Sequence, residues 1–103
     1  MISVIVNFYS KNINMINFSK KNIIITGAGG KIGFKISSYF NSQNANLILI
    51  ENNSSKLIKL KNTFKKSTIL NCDLEKINSI KNTLKKIKKK YSKIDTIIHT
   101  ASL

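Results

Sequence analysis

The amino-acid sequence predicts an α/β fold with a parallel sheet of about four strands and helices on both faces. Four short apolar segments rich in β-branched residues recur along the chain, and segments whose apolar residues have helical spacing separate them. Strands that alternate with helices favour a parallel sheet joined by right-handed crossovers. At 103 residues the chain has room for one domain.

The first half of the chain is predicted to form a strand, a helix and a second strand. Ile23-Ile24-Ile25 is an unbroken apolar run that ends in Thr26-Gly27, which is typical of a strand buried on both faces. The helix that follows has apolar residues at helical spacing, namely Ile32, Ile36, Tyr39 and Phe40. Residues 47–50 then supply a second buried strand, which ends at Glu51.

The second half continues the same alternation. A helix is predicted from about Ser54 to Phe64, a third strand over 68–73 and a fourth over 96–99. Between these strands a third helix carries apolar residues at three- and four-residue steps, namely Leu74, Ile77, Ile80, Leu84, Ile87 and Tyr91. Its other positions are crowded with lysines, which we interpret as a solvated face: Lys81, Lys85, Lys86, Lys88, Lys89 and Lys90.

Residues 1–20 show no clean period, so we assign them to an irregular leader and residues 21–103 to the folded unit. Met15 is an alternative start to Met1, since the residues after it lead directly into the first strand. The apolar stretch 2–9 is short and lacks the basic segment and cleavage site of a signal peptide. No run approaches the length of a membrane span, so we expect no membrane partner.

Composition limits the partners and the compartment. Lysine, asparagine and isoleucine make up about half of the chain, and the formal charge is +14. Such a charge can attract polyanions, but an A/T-rich genome favours the same three residues. The absence of arginine removes the contacts that specific nucleic-acid recognition prefers, so we expect no specific nucleic-acid partner. Cys72 is the only cysteine, which excludes an internal disulfide and a cysteine-based metal site and fits a cytoplasmic setting.

A glycine-rich turn, residues 26–33, lies where the first strand leads into the first helix. In a β-α-β unit such a turn receives the pyrophosphate of a dinucleotide at the helix N-terminus. We expect Gly27 to take the tight turn, Gly30 to let the backbone approach the pyrophosphate and Gly33 to let the helix pack close to the strand. A P-loop would need Ser or Thr directly after Lys31, where Ile32 stands. A turn without a ligand is the structural alternative.

Glu51, at the end of the second strand, is placed to accept hydrogen bonds from the adenosine ribose. Its carboxylate would repel a 2′-phosphate, which favours NAD over NADP. Lys31 could offset part of this repulsion, so NADP stays possible. An ordinary exposed residue at a strand end is the alternative interpretation of Glu51.

With these residues in place the chain resembles the short-chain dehydrogenase/reductase family over about residues 21–102. Thr26-Gly27 opening the turn, Cys72-Asp73-Leu74 after the third strand and residues 90–95 before the fourth carry the similarity. The resemblance implies a partial Rossmann fold, the N-terminal half of an NAD(P)-binding domain. It also implies that Asp73 contacts the adenine ring and that Leu74 lines its pocket, although Asp73 could instead cap the third helix.

The same resemblance implies further cofactor-binding positions. The end of the fourth strand, at His99 and Ala101, would run past the adenosine ribose, and Ile32 of the glycine turn would join the cofactor-binding residues. A lone histidine cannot form a metal site, and His99 is interpreted as a packing or ribose-contacting residue rather than a catalytic base.

Two departures leave the subfamily open. Single-domain members usually have T-G-x-x-x-G-x-G, but Lys31 occupies the middle glycine position. His99-Thr100-Ala101-Ser102 replaces the usual Asn-Asn-Ala-Gly. Both features resemble the extended subfamily of sugar-nucleotide epimerases and dehydratases. The third helix and the Lys-Ile-Asp that precedes the fourth strand resemble the single-domain enzymes, which we favour slightly.

The family transfers a hydride between nicotinamide and an alcohol or carbonyl, using a tyrosine, a lysine four residues later and a serine. None of Tyr9, Tyr39 and Tyr91 has lysine at that distance, so the catalytic motif is absent. We therefore expect the cofactor-binding fragment of an oxidoreductase, inactive alone, with a small-molecule substrate only in a full-length form. A non-catalytic nucleotide-binding module is the alternative.

In a full domain of this family, later strands would pair with the fourth strand. We therefore expect the fourth strand to be an exposed sheet edge through which the chain could form homo-oligomers.

Overall fold

The structure, a computed structural model, describes residues 17–100. Residues 1–16 of the predicted leader, which spans residues 1–20, and the predicted site residue Ala101 lie outside the described residues. The elements in chain order are β1 (Asn22–Thr26), α1 (Lys31–Ser42), β2 (Asn46–Glu51), α2 (Ser54–Thr63), β3 (Thr68–Asn71), α3 (Ile77–Lys90) and β4 (Thr96–His99).

The four strands form one parallel sheet in the order β3-β2-β1-β4. Alternate residues of a strand face opposite sides of a sheet, and β1 shows this directly. Ile23 and Ile25 belong to a core cluster with Phe40 of α1 and Leu60 of α2. Ile24 belongs to a second cluster, on the other face, that includes Ile48 of β2 and Ile87 of α3. The predicted α/β fold class, with helices on both faces, is confirmed.

The strand order places a topological switch point beside β1. Strands β2 and β3 are added in turn on one side of β1. The connection through α3 then returns the chain past β1, so that β4 pairs with the other side of β1. At the carboxyl end of β1, Thr26 is therefore in register with Ile50 of β2 and with His99 of β4. In open α/β sheets, ligands bind in the crevice at this end of the strands.

Helix α3 differs from its sequence-based prediction in its start and in its buried face. It begins at Ile77, so Leu74 lies in the loop before it. Ile77 and Leu84 are 68% and 56% exposed, whereas Thr83 is buried. Thr83 tolerates burial because its hydroxyl donates to the Ser79 carbonyl oxygen at 2.9 Å.

The end of the predicted leader packs against the folded unit without forming a helix or strand over residues 17–21. The Phe18 ring makes an edge contact with Phe40, with centroids 4.9 Å apart. The Lys20 N–H donates to the Asn44 carbonyl oxygen at 2.9 Å. None of the helices within residues 17–100 is long and apolar enough to cross a bilayer.

Candidate functional site

The glycine turn is fixed between the carboxyl ends of β1 and β2. Gly27 has a φ of 65°, in the left-handed region that glycine adopts without a Cβ penalty. The Ala28 N–H donates to the Ile50 carbonyl oxygen, and the Gly30 N–H donates to the Gly27 carbonyl oxygen, both at 3.1 Å. The backbone therefore turns sharply out of β1 while it stays bonded to β2.

Gly33 lies where helix α1 approaches the turn. A Cβ at this position would be 2.1 Å from the Gly27 carbonyl oxygen and 2.7 Å from the Thr100 hydroxyl. Both distances are far inside van der Waals contact, so the backbone leaves no room for a side chain. Gly30 is less confined, since its Cβ would meet only the Gly27 oxygen, at 3.3 Å.

The N-terminus of α1 opens directly from this turn. Gly30 is the N-cap residue and makes no side-chain capping bond, and the first turn holds no acidic residue. Unpaired N–H groups and the helix dipole make such an end attractive to an anion. Lys31 and Ile32 follow as exposed residues of the first turn, with Ile32 41% exposed.

Glu51 connects the end of β2 to the glycine turn. Its Oε1 accepts from the Gly29 N–H at 2.9 Å. Its Oε2 accepts from the N–H groups of Asn52 and Asn53, at 2.9 and 3.1 Å. The carboxylate thus lies beside the turn at the end of the neighbouring strand, where an acidic residue can also reach a ribose.

A cleft of about 270 Å³ opens between the end of β2 and the loop after β3. Its lining is Gly27, Ile50, Glu51, Asn52, Cys72, Asp73, Leu74 and Glu75. It falls slightly below the range of roughly 300–1,000 Å³ typical of pockets for drug-sized ligands. The cleft therefore suits a part of a dinucleotide, such as an adenosine, better than a whole one.

The structure brings together some of the residues that the sequence singled out and separates others. Gly27, Glu51, Asp73 and Leu74 share the cleft. Gly30, Ile32, Gly33 and His99 are not among its lining residues and lie instead along the turn, the start of α1 and the end of β4.

Asp73 shapes the loop between β3 and α3. Its Oδ1 accepts from the Glu75 N–H at 3.0 Å, and its carbonyl oxygen accepts from the Lys76 N–H at 3.1 Å. The N-cap of α3 is Lys76, so the helix-cap interpretation of Asp73 is wrong and its carboxylate stabilises a turn instead. The Asp73 N–H donates to the Ser79 hydroxyl at 2.9 Å, which anchors the loop to α3.

The end of β4 lies on the other side of β1 from the cleft and is bonded to the end of β1. His99 Nδ1 and the Thr26 hydroxyl lie 2.5 Å apart. The buried Thr100 hydroxyl donates to the carbonyl oxygen of Thr26 at 2.6 Å and lies 3.2 Å from that of Gly27. His99 is thus bonded to β1, and the Thr100 hydroxyl holds the two carbonyl groups at the start of the glycine turn.

Sequence reasoning missed Gly29 and Thr100. Gly29 contributes a backbone N–H, which every residue except proline has, so its letter carries no signal. Thr100 follows β4 as a small polar residue, and only its hydrogen bonds to two carbonyl oxygens set it apart.

Comparison with known proteins gives a family match over most of the chain. The family model described as short chain dehydrogenase matches residues 21–103. A search of curated protein sequences gave no match.

Solved structures show the same fold. A protein from Pseudomonas syringae described as a short chain dehydrogenase aligns with a TM-score of 0.76 at 18% identity, over 84% of this chain and 38% of that one. A short-chain dehydrogenase/reductase of the glucose/ribitol dehydrogenase type from Brucella melitensis gives 0.69 at 21% identity, over 80% and 36%. A 3-ketoacyl-(acyl-carrier-protein) reductase from Brucella melitensis gives 0.70 at 17% identity, over 78% and 33%.

The chain spans about a third to two fifths of the length of these three structures. The region that the family model matches, residues 21–103, contains the glycine turn and the four parallel strands. With the family match over residues 21–103, this fold confirms the resemblance drawn from the sequence: the chain belongs to the short-chain dehydrogenase family.

Proposed function

We propose that the chain binds the adenosine and pyrophosphate portion of NAD and is the cofactor-binding part of an NAD(P)-dependent oxidoreductase. The observation that carries this proposal is the convergence of three features at one end of the sheet. They are a glycine turn with Gly27 in the left-handed region, an uncapped helix N-terminus and a strand-end carboxylate beside a cleft. The 3-ketoacyl-(acyl-carrier-protein) reductase in the comparison was solved with NADH, which supports a nicotinamide dinucleotide.

The described residues fit this cofactor part by part. The free backbone N–H groups at the start of α1 would hold the pyrophosphate, since Gly33 allows the close approach of α1 to the turn. Glu51 would accept from a ribose hydroxyl. Asp73 and Leu74 line the cleft that would receive the adenine. His99, at the end of β4, would follow the ribose, as the sequence also predicts for Ala101, which lies outside the described residues.

Glu51 also supports NAD over NADP. A 2′-phosphate would place a second negative charge beside this carboxylate, at a cost of about 1 kcal/mol for charges 4 Å apart in water. That cost corresponds to a preference of about fivefold for NAD. Lys31, exposed at the start of α1, is the cation that could reduce it.

When bound, the nicotinamide supplies hydride transfer to or from an alcohol or carbonyl. The tyrosines within residues 17–100 lie away from the candidate site. Tyr91 lies at the opposite end of the sheet, with its hydroxyl 2.5 Å from that of Thr68 at the start of β3, and Tyr39 packs against Phe18. We therefore propose cofactor binding without catalysis by this chain, with a small-molecule substrate in a full-length form. The names of the compared proteins, which are dehydrogenases and reductases, favour a fragment of an oxidoreductase over a fragment of a sugar-nucleotide epimerase.

Calorimetric titration of the folded chain with NAD, NADP and AMP tests the proposal. We expect saturable binding of NAD and AMP, and weaker binding of NADP. Leu74→Ala should weaken NAD and AMP binding severalfold, because it removes apolar surface from the cleft. Leu84→Ala, the same change at an exposed position of α3, should leave binding unchanged. Failure of a demonstrably folded sample to bind NAD saturably would overturn the proposal.

A further inference from the structure

We propose that Glu51 is a positioning residue for the glycine turn: its carboxylate holds the turn in its pyrophosphate-receiving shape through the Gly29 N–H. This role is separate from any contact that Glu51 makes with the ribose. It rests on the proposed function of the site as a dinucleotide site.

The hydrogen bonds of Glu51 tie two backbone segments together. Oε1 accepts from Gly29 in the turn, and Oε2 accepts from Asn52 and Asn53 after β2. A carboxylate offers about four acceptor positions, so three of them are already occupied by the protein. Hydrogen bonds to a charged acceptor are among the stronger ones in proteins. The carboxylate therefore acts as a clamp between the turn and the end of β2.

The turn needs such a clamp because glycines at positions 27, 29 and 30 give its backbone wide conformational freedom. Two backbone bonds, from Ala28 to Ile50 and from Gly30 to Gly27, fix its neighbours. The N–H between them, at Gly29, is fixed by Glu51. These three N–H groups are bonded within the protein, which leaves the free N–H groups at the start of α1 for the pyrophosphate. A turn that is ordered before the ligand arrives presents those groups at a lower entropic cost of binding.

The space around Gly29 shows how closely this contact is built. A Cβ on Gly29 would lie 2.8 Å from Glu51 Oε1 and 2.6 Å from the Cβ of Lys56 in the first turn of α2. Any side chain at position 29 would displace the carboxylate or the helix. The glycine and the glutamate are therefore matched to each other.

Positioning and simple charge repulsion predict different results for an anion that has no ribose. If Glu51 acted only through its charge, a substitution that keeps the charge would leave the binding of pyrophosphate unchanged. If Glu51 positions the turn, loss of its bond to Gly29 weakens pyrophosphate binding.

Two substitutions separate charge from reach. Glu51→Asp keeps the charge but is one methylene shorter, so it can still reach the nearby Asn52 and Asn53 N–H groups while it withdraws from Gly29. Gly29→Ala keeps the glutamate and breaks the same contact from the other side, through a Cβ that would meet Oε1 and also the Cβ of Lys56 in α2. Because the contact is already broken in Gly29→Ala, adding Glu51→Asp to it should weaken pyrophosphate binding no further.

The experiment is an NMR titration of the full chain with inorganic pyrophosphate and, separately, with NAD. We expect each single variant to bind pyrophosphate about threefold to tenfold more weakly than wild type, the range expected for one hydrogen bond. In the ligand-free protein the Gly29 amide should exchange with solvent faster in Glu51→Asp than in wild type. Circular dichroism establishes that each variant is folded. If Glu51→Asp fails to fold, Gly29→Ala takes its place, and unchanged pyrophosphate affinity in that variant overturns the positioning role.

The outcomes distinguish this inference from the proposed function. Wild type that binds NAD while Glu51→Asp keeps full pyrophosphate affinity overturns the positioning role alone. The positioning role is also overturned if the Gly29 amide exchanges equally fast in wild type and Glu51→Asp, or if wild type does not bind pyrophosphate. Wild type that fails to bind NAD overturns the proposed function, while the Gly29 amide still reports whether the clamp exists.

Discussion

Single polar side chains hold β4 against β1 at both ends of the two strands. At the amino end, Asp95 Oδ2 accepts from the Asn22 N–H at 2.8 Å. At the carboxyl end, the Thr100 hydroxyl donates to the Thr26 carbonyl oxygen at 2.6 Å. Each bond joins residues more than seventy positions apart in the chain. These contacts fix the strand whose end borders the candidate site.

Asp95 should make stability depend on pH in the acidic range. The Asn22 N–H, and then the Lys93 ammonium 3.3 Å away, hold the pKa of Asp95 below its ordinary value against the opposing effect of burial. The unfolded chain therefore takes up this proton at higher pH than the folded one. The free energy of unfolding should fall as the pH drops from about 4 through the folded-state pKa.

Urea unfolding at about pH 5 and about pH 3 measures this effect. Asp95→Asn should show a smaller loss of stability on acidification than wild type. Glu75→Gln removes an exposed carboxyl and leaves Asp95 in place, so its free energy of unfolding should fall on acidification as much as that of wild type. An undiminished loss in Asp95→Asn would contradict the assignment.

At the scale of elements, helix α3 shows how packing selects one face from several apolar positions. Its apolar residues spread over more of the helix surface than the sheet can cover. The structure buries Ile87 and Thr83 and leaves Ile77 and Leu84 to solvent. The lysines of this helix are all exposed, in agreement with the solvated face predicted from their spacing.

Two alanine substitutions in α3 should therefore differ in cost. Ile87→Ala removes buried methyl and methylene groups from the cluster around Ile24 and Ile48 and should lower the free energy of unfolding by about 2–5 kcal/mol. Leu84→Ala, at a position 56% exposed, should change it by no more than about 0.5 kcal/mol. Urea denaturation measures both. Equal costs would mean that α3 packs through the broader face that the sequence alone indicates.

At the scale of the whole molecule, β4 forms one edge of the sheet in the part of the chain that the structure describes. Its Ile97 is 53% exposed, whereas its neighbour Ile98 is fully buried. An apolar edge strand offers unpaired backbone groups to another strand. The net charge of +14 opposes the approach of a second copy.

We expect concentration-dependent self-association through β4 that increases with salt, because salt screens the repulsion between the lysine-rich surfaces. Ile97→Lys should prevent it by placing a charge on the edge strand. Ile58→Lys adds the same charge at a position 60% exposed on α2 and should leave association intact. Sedimentation velocity at low and high salt measures the effect; a monomer under all conditions would rule out this interface.

The sequence by itself determined the fold class, the alternation of strands and helices and the position of the glycine turn. These features follow from local patterns, since apolar runs specify buried strands and helical spacing specifies amphipathic helices. Gly27 and Glu51 could be singled out in the same way, because a turn and a strand end are local features.

Only the tertiary structure decided which of these residues meet. The order β3-β2-β1-β4 brings Glu51 and Asp73 to one cleft and places His99 against Thr26 instead. It also bonds Glu51 to the Gly29 N–H, a backbone group that no residue letter reveals. Contacts of this kind depend on which chain segments become neighbours in space, and that is settled by packing across the sheet rather than by local spacing.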